Sequence, residues 1–112
     1  MITIYHKPNC STSRNVLKMI RDAGHDPVVV DYLQDGWTRG QLWGLFSAAG
    51  LTPRQALRIK EAAAKELRDA GDEAIIAAMI ADPVLVERPF VCGPGGVRLC
   101  RPVDLLTQTL TR

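Results

Sequence analysis

An α/β fold with one mixed sheet flanked by helices is predicted by three observations. A strand, a loop, a helix and a second strand follow one another between Ile2 and Tyr32; a long stretch of helical composition occupies the middle; and two short apolar runs flank the turn sequence "GPGG" near the end. A β-α-β unit makes a parallel strand pair and a hairpin makes an antiparallel one, so a sheet holding both is mixed.

The first strand is "ITIY" (Ile2 to Tyr5), a β-branched and aromatic run that stops at the turn-forming "HKPN". From Ser11 to Ala23, Val16, Leu17, Ile20 and Ala23 fall on one helical face, and Gly24 stands where a C-terminal cap belongs. "PVVVDY" (Pro27 to Tyr32) is a continuous apolar run too short for a helix, which predicts a strand buried on both faces. Thr38 and Gln41 form a capping box for a helix with Leu42, Leu45, Phe46 and Ala49 inside, and Gly50 ends it. Between Thr52 and Ala81, "EAAAKELRDAG" and "DEAIIAAMIADP" predict two helices, broken at Gly71 and stopped before Pro83. Phe90 to Cys92 and Val97 to Cys100 predict a hairpin with a four-residue loop, Gly93 to Gly96. The chain closes on a helix with Pro102 in its first turn and Val103, Leu106 and Leu110 on one face.

With 112 residues, one domain spanning 1–112 is expected. Apolar residues at 46% and charged residues at 23% are ordinary for a globular protein and argue against long disordered tracts. A net charge of +2 with no clustered Lys and Arg gives no sign of a nucleic-acid partner or a membrane surface. "MITIYHKPN" lacks the basic and apolar regions of a signal peptide, and no segment has ~18 apolar residues in a row, so a cytoplasmic location is expected. Three cysteines do not make a secreted disulfide framework; Cys10, Cys92 and Cys100 read as free thiols. No metal site is expected.

Cys10 lies where the first loop meets the first helix, in "YHKPNCSTSRN". Two readings stand open: a small buried filler, or a reactive thiolate. The second is favoured because "PNCSTS" offers no apolar neighbours, and because the unpaired amides and positive dipole end of a helix stabilise a thiolate. Those amides, with the Ser11, Thr12 and Ser13 hydroxyls, also suit an oxyanion. A dithiol oxidoreductase would carry a second cysteine where Ser13 stands, so a disulfide made by Cys10 needs an external thiol. A tyrosine-phosphatase-like loop would need arginine at Val16. His6, four residues upstream, either lends charge or a hydrogen bond to the thiolate or is a solvated loop histidine. In the hairpin register Cys92 faces Val97 and Cys100 faces Pro89, on opposite faces, which predicts two packing residues and no disulfide between them.

"ITIYHKPNCSTSRN", "LTPRQALRIKEAAAKEL" and "DPVLVERPFV…GVRLCRP", in this order and spacing, resemble the ArsC family of glutaredoxin-coupled arsenate reductases over nearly the whole chain. The resemblance implies a thioredoxin-like (glutaredoxin-like) fold with a helical insertion between the second and third strands. It also implies that Cys10 attacks arsenate or a similar oxyanion, with glutathione as co-substrate, glutaredoxin as partner and no bound cofactor. Arg58 in "ALRIK", Arg88 in "VERP" and Arg101 in "LCRP" would hold the oxyanion, Ser13 would hydrogen-bond the Cys10 sulfur, and Pro89 would match the proline that faces the cysteine in such folds. Guanidinium forks suit a phosphate-shaped anion, although on composition alone each arginine reads as a solvated surface residue. Two departures stand out: family members commonly run further past "LCRP", and the segment after Arg58 is unusually alanine-rich. Two other functions are compatible with the pattern. One is a glutathione-dependent thiol-disulfide oxidoreductase of the same fold, for which the arginines are expendable. The other is a regulatory protein like Spx, which docks on RNA polymerase and usually pairs two cysteines, a pattern Ser13 removes.

Overall fold

Side-chain alternation along the first strand sets the architecture. In β1 (Thr3–His6) the buried positions are Ile4 and His6, with Ile2 just ahead of the strand in the same phase, while Thr3 and Tyr5 are half-buried on the other face. The computed structural model describes residues 1–111. They pack as two compact units, one made of Met1–Asp35 with the chain from Arg88 onward, the other of Gly36–Glu87.

In the first unit β1 leads into α1 (Ser11–Asp22) and then β2 (Val28–Asp31), which pairs with β1 in parallel. β3 (Phe90–Gly93) lies antiparallel on the other side of β1, and β4 (Gly96–Leu99) antiparallel to β3, giving the order β2-β1-β3-β4. This is the mixed sheet of a thioredoxin-like fold, with the Gly36–Glu87 segment inserted in sequence between β2 and β3. Its core joins Ile2 and Ile4 of the first strand, Val16 and Ile20 of α1, Val91 of β3, Cys100, and Leu106 of the last helix.

Four expectations are corrected here. β2 is an edge strand, and Val28 and Val29 are 45% and 39% exposed, so the valine run reflects strand propensity rather than burial on both faces. Tyr32 is buried, but in a short helix, α2 (Tyr32–Asp35). The hairpin loop is two residues rather than four, because Gly93 and Gly96 pair across it, although Cys92 does face Val97. Pro102 lies in a turn ahead of the last helix, α5 (Leu105–Leu110), which Asp104 precedes.

The second unit holds α3 (Arg39–Ala49) and α4 (Asp72–Ala81). Thr38 and Gln41 form the capping box, and Gly50 closes α3 with φ of 72°, the left-handed conformation that glycine adopts at least cost. "AAAKEL" (Ala62–Leu67), expected as a helix, is a six-residue 3₁₀ stretch. Tertiary pairing overrides its propensity. Just upstream, Leu57 bridges Val86, the Arg58 N–H donates to the Leu85 carbonyl at 2.7 Å and the Glu87 N–H to the Ala56 carbonyl at 2.8 Å. Downstream, Arg54 donates to the Leu67 and Ala70 carbonyls, taking acceptors that a longer helix would use. Arg39 spans α3 and α4 by pairing with Glu73. Among the described residues no helix is long and apolar enough to cross a membrane.

The hairpin tip uses glycine in two ways: Gly96, at φ 117°, supplies backbone freedom, and Gly95 supplies closeness. A Cβ on Gly95 would lie 1.9 Å from the Gln108 carbonyl oxygen and 2.3 Å from that of Thr111, and the Gly95 N–H donates to the Thr109 carbonyl at 3.0 Å. The turn is therefore seated on the end of α5. Gly95→Ala is expected to lower stability by ~2–3 kcal/mol, read in thermal unfolding as a fall of roughly 10 °C in the midpoint. A midpoint unchanged from wild type would refute this account of the turn.

Candidate active site

His6 ends β1 on the face that carries Ile2 and Ile4, and the chain then turns through Lys7 to Asn9. The Cys10 N–H donates to the Lys7 carbonyl at 3.0 Å, closing the turn. Cys10 is the N-cap of α1, with extended backbone at φ −100° and ψ 121°, and its carbonyl accepts the Arg14 N–H at 3.0 Å as the helix begins. Its side chain does not cap the helix in the manner of a serine. When the sulfur ionises it draws instead on the open amides of the first turn.

Three influences compete at this half-buried thiol. Burial pushes its pKa up; the Ser13 amide, the hydrogen bond and charge of the Arg88 guanidinium, and the Thr12 amide pull it down, and together they prevail, leaving it at about 7. The other two thiols go the opposite way. Cys100 is fully buried and is pushed up to about 11 by burial, which hydrogen bonding from Thr109 and the charge of Arg98 only partly offset. Cys92, half-buried, is also pushed up by burial. All three are free.

Arg88 is 3% exposed and lies directly before Pro89, and the bond between them is cis, as is that between Arg101 and Pro102. Arg101 donates from Nη1 to the Arg88 carbonyl at 3.0 Å, and the Cys100 N–H donates to the Pro89 carbonyl at 2.9 Å. The two arginine–proline steps are thus tied together at the open end of the hairpin. Arg88 is a buried cation beside Cys10, not the solvated surface residue that composition suggests.

His6 is not a solvated loop histidine, and Ser13 reaches the Cys10 sulfur through its backbone amide. His6 is buried, and its Nδ1 shares a 2.6 Å hydrogen bond with the Ser13 hydroxyl, whose oxygen also accepts the Lys7 N–H at 3.1 Å. Burial holds the His6 pKa below the usual histidine range, the Asp31 charge opposing and the Arg21 and Arg14 charges assisting, so the ring is neutral at pH 7 and lends no charge to the thiolate. Ser13 serves Cys10 through its amide while its hydroxyl is held by His6 and Lys7. Among the described residues no hydrogen bond is recorded from the Ser11 or Thr12 hydroxyl to the sulfur. The His6–Ser13 link spans seven residues across a loop, a spacing with no helical or strand period to announce it.

Arg58 belongs to the second unit. It is largely buried, pairing through Nη1 with Glu87 Oε1 at 2.8 Å and through Nε with Glu61 Oε1 at 3.5 Å. Glu61, three residues on, is a partner that helical spacing can suggest. Glu87 is not, since it meets Arg58 only through the Leu57–Val86 bridge. Among the described residues no group of three or more His, Cys, Asp or Glu is placed to hold a metal ion.

A model described as the ArsC family matches residues 5–108. Curated relatives include the arsenate reductase ArsI2 of Synechocystis sp., 52% identical over 98% of this chain and 81% of that protein. The arsenate reductase of Rhizobium meliloti is 47% identical over 97% of this chain and 81% of its own length. Among solved structures, an arsenate reductase from Vibrio cholerae superposes with a TM-score of 0.90 at 36% identity, covering 97% of both chains. With so much of its length matched by the family model and by close relatives, the chain belongs to the ArsC family.

Proposed function

We propose that this protein is an oxidoreductase that reduces arsenate to arsenite, with Cys10 as nucleophile. The observation that carries the reading is a thiol brought to a pKa of about 7 at the head of α1 with the buried Arg88 guanidinium beside it. Relatives named arsenate reductase at up to 52% identity support the substrate. At neutral pH about half of Cys10 is thiolate, and the guanidinium that stabilises this anion also offsets its repulsion of an incoming oxyanion.

In the proposed reaction the Cys10 thiolate attacks arsenic(V) and an oxygen leaves as water, forming a sulfur–arsenic bond. A glutathione thiol then attacks the Cys10 sulfur; the sulfur–arsenic bond breaks with its electron pair on arsenic, which departs as arsenite. The two thiols have given two electrons and are left as a mixed disulfide, which a glutaredoxin thiol resolves. Arg88 and Arg101 are proposed to hold the oxyanion, supported by their mutual tie at the hairpin. The same role for Arg58 rests on the resemblance of "ALRIK" alone, and Pro89 keeps its proposed place facing the cysteine. Ser11 and Thr12 are proposed to support the oxyanion through the first turn of α1, and His6 through its hold on Ser13. The reading places the protein in a reducing compartment such as the cytoplasm, in keeping with three free thiols.

Two measurements test this. Iodoacetamide alkylation of Cys10 should rise with pH through a midpoint near 7, since only the thiolate reacts. Below the midpoint the rate should fall about tenfold per pH unit, because the stabilised anion is lost as it takes up a proton. Cys10→Ser should remove the fast phase, and Arg88→Leu should raise the midpoint by about one unit or more. Three equally slow thiols would show Cys10 to be a packing residue.

In an assay with arsenate, glutathione and glutaredoxin, Cys10→Ser should be inactive. Arg58→Ala, Arg88→Leu and Arg101→Ala should each raise the KM for arsenate by about tenfold or more. Reduction of a glutathionylated test disulfide without any turnover of arsenate would replace this reading with the general thiol-disulfide oxidoreductase.

A further inference from the structure

The outer side of α1 carries a feature that the proposed reaction does not use. Arg14, Leu17, Lys18 and Arg21 recur at helical spacing, and with Pro8 and Asp22 they line a groove of about 490 Å³. That volume falls in the range of small-ligand sites, about 300–1,000 Å³. Leu17 and Pro8 supply an apolar floor. Lys18 and Asp22 pair with each other, which leaves the two arginines as the net charge of the groove. Arg14 is anchored by a hydrogen bond from Nη1 to the Pro8 carbonyl at 3.1 Å, and among the described residues the Arg21 side chain makes no hydrogen bond or ion pair. Both guanidiniums act on His6 at the groove's inner wall, which places their fields together.

We propose that this groove seats the carboxylates of a small anionic peptide thiol while its sulfur reacts with Cys10. The inference rests on the reading that glutathione completes the reaction at Cys10, and names where the rest of that molecule lies. Cys10 caps the same helix one turn before Arg14, whose N–H it accepts. At about 1.5 Å per residue, Arg14 is ~6 Å and Arg21 ~16 Å along the axis from Cys10. Long side chains on a helix lean toward its N-terminus, so both guanidinium heads lie nearer the sulfur than these figures. An extended tripeptide covers roughly 10 Å. Glutathione has its thiol on the central residue and a carboxylate on each arm, so with the sulfur at Cys10 one arm runs along the groove toward the two arginines. A neutral thiol gains nothing there.

Oxidised glutathione and neutral 2-hydroxyethyl disulfide test this without arsenate. With either, the Cys10 thiolate attacks one sulfur, the disulfide breaks, one thiolate leaves and Cys10 retains the other half. The readout is the ratio of the two second-order rate constants at pH 7, followed by mass spectrometry; forming a ratio cancels any change in Cys10 itself. Arg14→Gln with Arg21→Gln should lower the ratio by about three- to tenfold, and added salt should lower it in wild type. Arg14→Lys with Arg21→Lys should hold it within about twofold. Lys60→Gln with Arg68→Gln, which removes the same charge outside the groove, should leave it unchanged. The proposal is overturned if the Gln pair leaves the ratio at its wild-type value, or if the pair outside the groove lowers it equally. Failure of arsenate turnover with this pattern intact would remove the arsenate reading and leave the groove standing.

Discussion

A sulfur atom at the N-cap of a helix is the constraint on which the first unit turns. A thiol in a half-buried position should be harder to ionise than in water, and burial does act in that direction on Cys10. Two backbone amides and one guanidinium reverse it. Amides cost no side-chain entropy to aim, but they act only within the first turn and only if the turn is held in place. The surrounding bonds do that holding. The Cys10 N–H fixes the loop through Lys7, and Ser13 is pinned at its hydroxyl by His6 and by the Lys7 amide, so the residue whose amide serves the sulfur is held by two bonds in a loop closed by a third. A neutral, buried His6 therefore serves as a brace. It sits where strand alternation puts it, on the core-facing side of β1.

The buried Arg88 poses the complementary problem. An arginine 3% exposed is costly unless an anion or several acceptors meet it. A thiolate alongside satisfies part of that need, and a bound oxyanion would satisfy more. Attack by one anion on another is opposed by Coulomb repulsion, which is strongest where water is excluded. A cation fixed beside the nucleophile removes that repulsion without having to be recruited at each turnover. This separates an oxyanion reductase from a disulfide reductase. A disulfide is neutral at its sulfur atoms, so a reductase of that kind would use the guanidinium only to ionise its thiol, whereas an oxyanion reductase uses it against the repulsion of the substrate as well.

What the sequence announced is what local chemistry determines. The α1 face, the Thr38–Gln41 capping box, the Gly50 cap and the pairing of Cys92 with Val97 all depend on residues a few positions apart, and each stands in the structure. The cysteine at the strand-loop-helix junction was legible for the same reason. Long-range partners hid the rest. The alanines of Ala62–Leu67 favour an α-helix until the neighbouring chain is committed to a bridge with Val86. The run of valines in β2 looks the same whether its faces are covered or, as here, partly open. Arg58 and Glu87 meet across 29 positions, and the buried state of Arg88 has no signature in "VERP". "GPGG" announces a hairpin turn but not that Gly95 is needed because a carbonyl of α5 occupies the space of its Cβ.

The thiols that do not react decide how a reaction at Cys10 must end. A disulfide formed at Cys10 is resolved fastest by a thiol whose own pKa lies near the ambient pH. Cys100 is buried, with a pKa pushed up to about 11, and burial also raises Cys92. Neither is an effective attacking group at pH 7. The position that would hold a resolving cysteine, three residues after Cys10, is Ser13, and its hydroxyl is already committed to His6 and Lys7. Putting a thiol there would remove the brace that aims the Ser13 amide, so the feature that lowers the Cys10 pKa also keeps a second sulfur out of the loop. Among the described residues no second thiol is suited to free Cys10, in keeping with the proposal that another molecule supplies the electron pair. The cationic groove that begins one helical turn from the sulfur gives a small anionic thiol a reason to be held there.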